Sequence, residues 1–288
     1  MNKVGFIGVG IMGKSMVRNL MKAGFELHIY ARTKSKVEDV IGEGAQFHES
    51  IKDCVQDCDA VITIVGFPQD VEEVYFDQGN ILDSAKEGAY LIDMTTTSPQ
   101  IAEKIYEEGT KRGFHVMDAP VTGGDTGAKA GTLSILVGGE KEDYEACMPL
   151  FEAMGTNINY QGKAGCGQHC KLANQIMIAG TLSGVCEALT YAKEQGLDPE
   201  VFMKSVATGA AGSKQLDTFG PKILKDDYAP GFFMKHFIKD MKLALIEANR
   251  KGLSLDVLSM VLANYEELEQ EGYGDLGTQA LMKFYDEE

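Results

Sequence analysis

The chain has 288 residues, 44% of them hydrophobic and 24% charged, with 27 Lys and Arg against 43 Asp and Glu, a formal net charge of −16. That length is more than one core usually fills, so two domains are expected, and the composition is that of a globular protein, not a disordered or fibrous one. A field this negative repels phosphate backbones and anionic lipid surfaces, which argues against nucleic acid and membrane as partners. An anionic ligand would have to be held locally, by backbone N–H groups and a few placed cations. The six cysteines (Cys54, Cys58, Cys147, Cys166, Cys170 and Cys186) form no Cys-x-x-Cys pair, and Met1 leads almost directly into an apolar strand with no signal-like segment. Reduced thiols and a cytoplasmic location are expected. The longest weakly polar stretch, Leu172 to Cys186, is short for a membrane span and carries Asn174 and Gln175.

From Lys3 to about Asn159 short apolar runs alternate with helical patterns, as in successive βα units around a parallel sheet. In chain order, residues 3–8 read as a strand, 11–23 as a helix, 26–30 as a strand, 35–41 as a helix, 60–64 as a strand and 69–75 as a helix. Residues 90–93 then read as a strand, 99–109 as a helix, 115–118 and 133–137 as strands, and 142–154 as a helix. The expected class is α/β, an N-terminal doubly wound Rossmann domain over residues 1–163. After Asn159 the only clear apolar periodicity is helical, punctuated by stops such as Gly196 and Gly252, so residues 164–288 are expected to form an all-α domain. A helix from about Gly165 to Gln195, roughly 45 Å at 1.5 Å per residue, joins the two. Its small residues, Ala179, Gly180, Ser183, Gly184 and Ala188, offer a face for close helix packing in a soluble protein. There is no internal repeat and no low-complexity segment.

Gly8-Val9-Gly10-Ile11-Met12-Gly13 fits Gly-x-Gly-x-x-Gly, and its place between the strand Val4–Ile7 and a helix gives the pattern its meaning. The first glycine permits the tight turn, the second lets a pyrophosphate approach the backbone, and the third lets helix and strand pack closely. The helix N-terminus then offers N–H donors and positive dipole to the phosphates. A dinucleotide site is therefore expected, contributed by Gly8, Gly10, Ile11, Met12 and Gly13. Its subtype is read at the end of the second strand, where an Asp or Glu would bond the ribose 2′-OH of NAD. Here that strand ends Tyr30-Ala31-Arg32-Thr33, with no acid. Arg32 can face a 2′-phosphate with its planar fork, with Thr33 and Lys36 nearby, so NADP(H) is the expected cofactor and NAD(H) a second choice.

Two further segments carry chemistry. Asp118-Ala119-Pro120-Val121-Thr122-Gly123-Gly124 follows a predicted strand, and the ends of strands are where open α/β sheets place ligands. A Thr hydroxyl followed by two glycines can turn N–H groups toward a small anion such as a carboxylate; taken alone, it reads equally well as a plain turn. Gly165-Cys166-Gly167-Gln168-His169-Cys170-Lys171-Leu172-Ala173-Asn174-Gln175 opens the long helix, and Lys171, Asn174 and Gln175 share one face at i, i+3 and i+4. An ammonium beside two amides can donate a proton to a developing alkoxide, and as a neutral amine can remove it; a surface lysine is the plain alternative.

Together these residues resemble the β-hydroxyacid dehydrogenases: the opening fingerprint, the Asp118–Gly124 segment and Gly-x-Gly-x-x-x-Lys-x-x-Asn ending at Asn174 occur in that family's order and spacing, over nearly the whole chain. That family includes 3-hydroxyisobutyrate dehydrogenase, tartronate semialdehyde reductase and glyoxylate/succinic semialdehyde reductases. The resemblance implies that Lys171 is the general acid/base and that Thr122, Gly123, Gly124, Asn174 and Gln175 bind substrate. It also implies that Thr96 and Lys239 lie at the cofactor, with Phe232 and Asp240 near the substrate end. Arg-Thr-x-x-Lys at 32–36 looks like the NADPH-preferring branch. The family's usual Ser in the Gly-Gly loop is Thr122 here, and its frequent Asn-Asn is Asn174-Gln175; both changes bear on substrate choice.

The expected reaction interconverts a small carboxylate-bearing aldehyde and its hydroxyacid. Alternatives are a 6-phosphogluconate-dehydrogenase-like enzyme, for which the chain is short; an imine reductase, against which Lys171 argues; and a non-catalytic dinucleotide sensor. Cys166, His169 and Cys170 lack an evident fourth ligand, so no metal is expected. Cys54 and Cys58 read as packing residues, and the run Glu266-Glu267-x-Glu269-x-Glu271 as a solvated helix face. By analogy with the family, the chain is expected to form a homo-oligomer.

Overall fold

In the computed structural model, which describes residues 1–286, the first strands are β1 (Lys3–Ile7), β2 (Glu26–Tyr30), β3 (Gln46–Phe47), β4 (Ala60–Thr63), β5 (Tyr90–Asp93) and β6 (His115–Asp118). They pair in the order β3-β2-β1-β4-β5-β6, every neighbour parallel, the order of a dinucleotide-binding sheet. Strand residues alternate between two cores. Val4, Phe6, Ile62, Ile92 and Met117 face one side, and Ile7, Val61, Leu91 and Val116 the other. Helix α1 (Ile11–Lys22) and the short α2 (Glu38–Gly42) supply Met16, Val17, Leu20 and Val40 to the first side. Helices α3 (Ile51–Val55), α4 (Pro68–Phe76), α5 (Ile81–Ser84) and α6 (Pro99–Lys111) cover the second with Cys54, Val71, Tyr75, Ile81 and Ile105. A strand whose odd and even positions are both apolar has to be covered on both faces.

The sheet then departs from the expected all-parallel form. Strand β7 (Val121–Thr122) leads into α7 (Gly124–Ala130), and β8 (Leu133–Gly139) runs antiparallel to both β6 and β7. A buried apolar run such as Leu133–Val137 reads the same in either direction, because period-2 patterning carries no orientation. Helices α8 (Lys141–Ala146) and α9 (Met148–Met154) are two, not one: Cys147, at φ −89° and ψ 1°, separates them two residues before Pro149, whose ring lacks the N–H that a continuous helix would bond to the Glu145 carbonyl. Strand β9 (Gly155–Gly162) completes the sheet parallel to β8. It escapes sequence reading because it is an edge strand of polar residues, mostly exposed.

Helix α10 (Cys166–Glu194) follows, then α11 (Pro199–Val206), α12 (Lys214–Ile223), α13 (Met234–Arg250), α14 (Asp256–Gln270) and α15 (Lys283–Asp286). The chain divides into two compact units, Met1–Lys171 and Leu172–Glu288, with the division inside α10. The second unit has its own core, with Ala179, Leu182, Cys186 and Leu189 of α10 packed with Phe237 and Met241 of α13 and Val261 and Tyr265 of α14. At 29 residues, α10 has the length and composition to cross a bilayer, longer than the segment considered from sequence, yet its Leu172–Leu189 stripe is spent in that core. Cys54 and Cys58 are buried packing residues, the Cys58 thiol 3.1 Å from the Cys54 carbonyl oxygen.

Candidate active site

The Gly8–Gly13 turn shows a distinct demand at each glycine. Gly8 takes φ +97°, and a Cβ there would stand 2.1 Å from the Ile64 carbonyl oxygen beyond β4. At Gly13 a Cβ would stand 2.1 Å from the Gly8 carbonyl oxygen, so α1 rests directly on the strand-turn backbone. Gly10 is different: it is exposed, and a Cβ would meet nothing within 4 Å. No atom among the described residues requires a glycine there, whereas a phosphate seated against the backbone would. Gly10 caps α1 with no side-chain bond, so no side chain caps the first-turn N–H groups of Ile11, Met12 and Gly13. The residues present therefore fit a pyrophosphate, held by backbone donors and the helix dipole.

At the end of β2, Arg32 and Thr33 are exposed, and Thr33 precedes a short 3₁₀ turn, Lys34–Lys36, that ends on the exposed Lys36. The Arg32 guanidinium is bonded to Asp70 of α4, a partner invisible from sequence. The other Asp70 oxygen accepts the Phe67 N–H at 2.9 Å. The Asp70 carboxylate raises the Arg32 pKa, and the fork still has donors left for a second anion.

β5 delivers Asp93 and then the Thr95-Thr96-Thr97 loop. Asp93 is buried, and its Oδ1 accepts from Thr63 Oγ1 at 2.8 Å and from the Thr95 N–H at 3.1 Å. Burial pushes its carboxyl up to about 6, against the lowering effect of its bonds to Thr95 and Thr63. The Thr95 hydroxyl accepts the Val65 N–H at 3.0 Å, while Thr96, between two buried threonines, is half-buried.

Thr122 ends β7, paired with Ser134 and half-buried. Gly123 (φ +129°) and Gly124 (φ +63°) follow, two successive positive-φ positions that a side chain would strain, and α7 begins on the second. Asp118, at the end of β6, turns into the protein instead of toward a ligand. Its Oδ1 accepts the Gly165 N–H at 2.7 Å and its Oδ2 the Gln168 N–H at 2.8 Å, so it caps the first turn of α10. Burial raises its pKa while those two donors pull it down. Gly167 is needed in the same turn, because a Cβ there would stand 2.3 Å from the Leu136 carbonyl oxygen of β8.

Lys171, one turn further along α10, is only 7% exposed. In the second unit Asn174 Nδ2 donates to Gln175 Oε1 at 2.8 Å and Gln175 Nε2 to Asp240 Oδ2 at 2.6 Å, while Lys239 Nζ lies 2.9 Å from Asp240 Oδ1. Gln175 and Asp240 are 1% and 0% exposed. Phe232, just before α13, stacks on His236 and meets Phe237 edge-on. The structure thus brings Asn174, Gln175, Lys239 and Asp240 into one network, and ties the loop around Thr96 to the turn before Lys171. Sequence reading gave no role to Asp118, Gln168, Asp93 or Asp70; for Gln168 the available signal was a polar residue three before Lys171 on the same helix face. Among the described residues no three or more His, Cys, Asp or Glu cluster as metal ligands.

Comparison with known proteins agrees with this construction. Residues 3–162 match the family model of the NAD binding domain of 6-phosphogluconate dehydrogenase, and residues 165–285 that described as the NAD-binding of NADP-dependent 3-hydroxyisobutyrate dehydrogenase. The chain is 50% identical over 282 residues to the uncharacterized oxidoreductase YkwC of Bacillus subtilis, covering 98% of each. It is 44% identical over 281 residues to the probable mitochondrial 3-hydroxyisobutyrate dehydrogenase-like 1 of Arabidopsis thaliana, covering 97% of this chain and 84% of that one. Among solved structures it is similar to the Mycobacterium tuberculosis 3-hydroxyisobutyrate dehydrogenase with L-serine, at TM-score 0.89 and 26% identity over 98% of each chain. With a dinucleotide cradle on a Rossmann sheet, a helical second unit and matches along both, this chain belongs to the β-hydroxyacid dehydrogenases, the NAD(P)-dependent oxidoreductases of the 3-hydroxyisobutyrate dehydrogenase type.

Proposed function

We propose that the protein interconverts a small carboxylate-bearing aldehyde, of the semialdehyde or glyoxylate type, and its hydroxyacid, with NADP(H) preferred and NAD(H) usable. The observation that carries this reading is Lys171: a buried ammonium on the turn of α10 that Asp118 and Gln168 lock to the Thr95–Thr97 loop. A lysine held that far from water at the start of a long helix is placed to deliver a proton away from bulk solvent. Gly8, Gly10, Ile11, Met12 and Gly13 hold the pyrophosphate, Arg32, Thr33 and Lys36 the 2′-phosphate, and Thr96 and Lys239 contact the rest of the cofactor. When bound, the reduced nicotinamide supplies the hydride equivalent that the carbonyl carbon accepts.

The chain's own residues supply position and proton. Thr122 with the Gly123 and Gly124 backbone fixes the carboxylate, and Asn174, Gln175, Phe232 and Asp240 contact the substrate. The Lys171 ammonium donates a proton to the carbonyl oxygen as negative charge develops; the resulting amine takes the proton back when the alcohol is oxidised. Support for a short β-hydroxyacid comes from the Mycobacterium tuberculosis relative, solved with L-serine, itself a three-carbon β-hydroxyacid. An initial-rate panel of glyoxylate, succinic, tartronate and methylmalonate semialdehydes, each with NADPH and NADH, tests the proposal. Turnover of at least one, faster with NADPH, is expected; no turnover of any while NADPH binds would sink it.

We also propose a homo-oligomer, formed through the second unit. Met177, Tyr191, Val201, Leu253, Val257 and Met260 there are each 50% exposed or more, apolar side chains that a second copy could cover. Light scattering should give at least twice 31.3 kDa; the monomer mass at micromolar concentration would remove this part.

A further inference from the structure

Between Thr95 and Thr97 the chain turns from β5 toward α6, and the two peptide groups flanking Thr96 are both satisfied by one side chain. Gln168 Nε2 donates to the Thr95 carbonyl oxygen at 2.7 Å, and Gln168 Oε1 accepts the Thr97 N–H at 3.0 Å. Gln168 is 0% exposed. Its own N–H is donated to Asp118 Oδ2, so the residue is held from behind while it holds the loop in front. The turn it occupies has no slack, since Gly167 packs against the Leu136 backbone so closely that a Cβ would stand 2.3 Å from its oxygen. Lys171 follows three positions later, on the same helix face.

We infer that Gln168 is a positioning residue, a buried carboxamide clasp that fixes Thr96 and Lys171 relative to each other and so sets where proton donor and cofactor-side hydroxyl meet the reacting carbonyl. A carboxamide carries a donor and an acceptor at one tip, which a carbonyl and an N–H two residues apart require together. No apolar residue offers either, and such groups left buried without partners are destabilised by the water they have given up. The structural effect is local, while the kinetic effect is expected to be large, because a misplacement of about 1 Å in a reacting geometry costs roughly 10²-fold in rate. The inference rests on the roles proposed above for Lys171 and Thr96.

The test is Gln168→Met, which keeps length and helix preference but removes both bonds. In the cofactor-free protein, hydrogen–deuterium exchange of residues 94–98 is expected to accelerate about tenfold or more with the rest of the first unit unchanged, since each broken bond removes protection. NADPH affinity by fluorescence titration should stay within about threefold, and kcat should fall roughly 10²-fold with KM within about threefold. Faster exchange at 94–98 with kcat unchanged would reduce Gln168 to an ordinary core amide. Unchanged exchange at 94–98, or exchange faster throughout the unit, overturns the clasp as well. Should the variant not fold, the Thr97 amide of the unaltered protein decides: it must exchange as slowly as strand amides, and fast exchange overturns the inference. Because exchange in the cofactor-free protein does not depend on turnover, its outcome stays separate from that of the catalytic reading, which the lysine variant tests.

Discussion

Lys171→Ala is expected to lower kcat by about 10²- to 10⁴-fold, the range that a positioned general acid contributes, with NADPH affinity within about threefold of the original. The expectation follows from burial. At 7% exposure the residue is largely shielded from water, so solvent cannot readily replace it as proton donor at the same point. Its neighbours on the helix cannot substitute, since Gln168 is committed to the Thr95–Thr97 loop and Gln175 to Asp240. The variant should keep its helix, because alanine favours that conformation. Added small primary amines should restore part of the rate in the alanine variant and none in the original. Retained turnover without added amine would refute the proton-transfer role and leave Lys171 a structural residue.

Arg32→Asp should reverse the order of the two cofactors. An arginine fork on a phosphate contributes about 1.5–3 kcal/mol, or roughly 10- to 100-fold in affinity. The structure sharpens the argument beyond simple loss, because Arg32 is bonded to Asp70. With aspartate at position 32 that carboxylate loses its counter-ion, and two negative groups then face any 2′-phosphate. NADPH binding should weaken by at least that factor, while NADH, with a neutral 2′-OH that an acid can bond, should bind as well as before or better. Titration of both by fluorescence checks it; an unchanged ratio would show that Arg32 serves only as the partner of Asp70.

Much of the fold was legible because its signals are local. The strands at 26–30, 90–93 and 115–118 are marked by short apolar runs between turn residues, and the structure has them at Glu26–Tyr30, Tyr90–Asp93 and His115–Asp118. The glycine fingerprint is local too as a spacing, its three glycines lying within six residues of chain. What escaped has a common cause. The direction of β8 and the edge strand β9 each depend on what lies alongside, and two-residue strands such as Gln46–Phe47 are too short to show a period.

The same division runs through the site. By itself the sequence determined the chemistry available: a dinucleotide turn, a Thr-Gly-Gly loop, and a lysine followed by two amides on one helix face, because these are residue types at fixed spacing. Only the tertiary structure decided how they are held. Asp118 is a helix cap and not a ligand group, Gln168 reaches a loop more than 70 residues away in the chain, and Asp70 sits on Arg32 across 38 residues. A hydrogen bond between distant segments leaves no periodicity in either, since each partner obeys only its own local pattern until the sheet brings the two together.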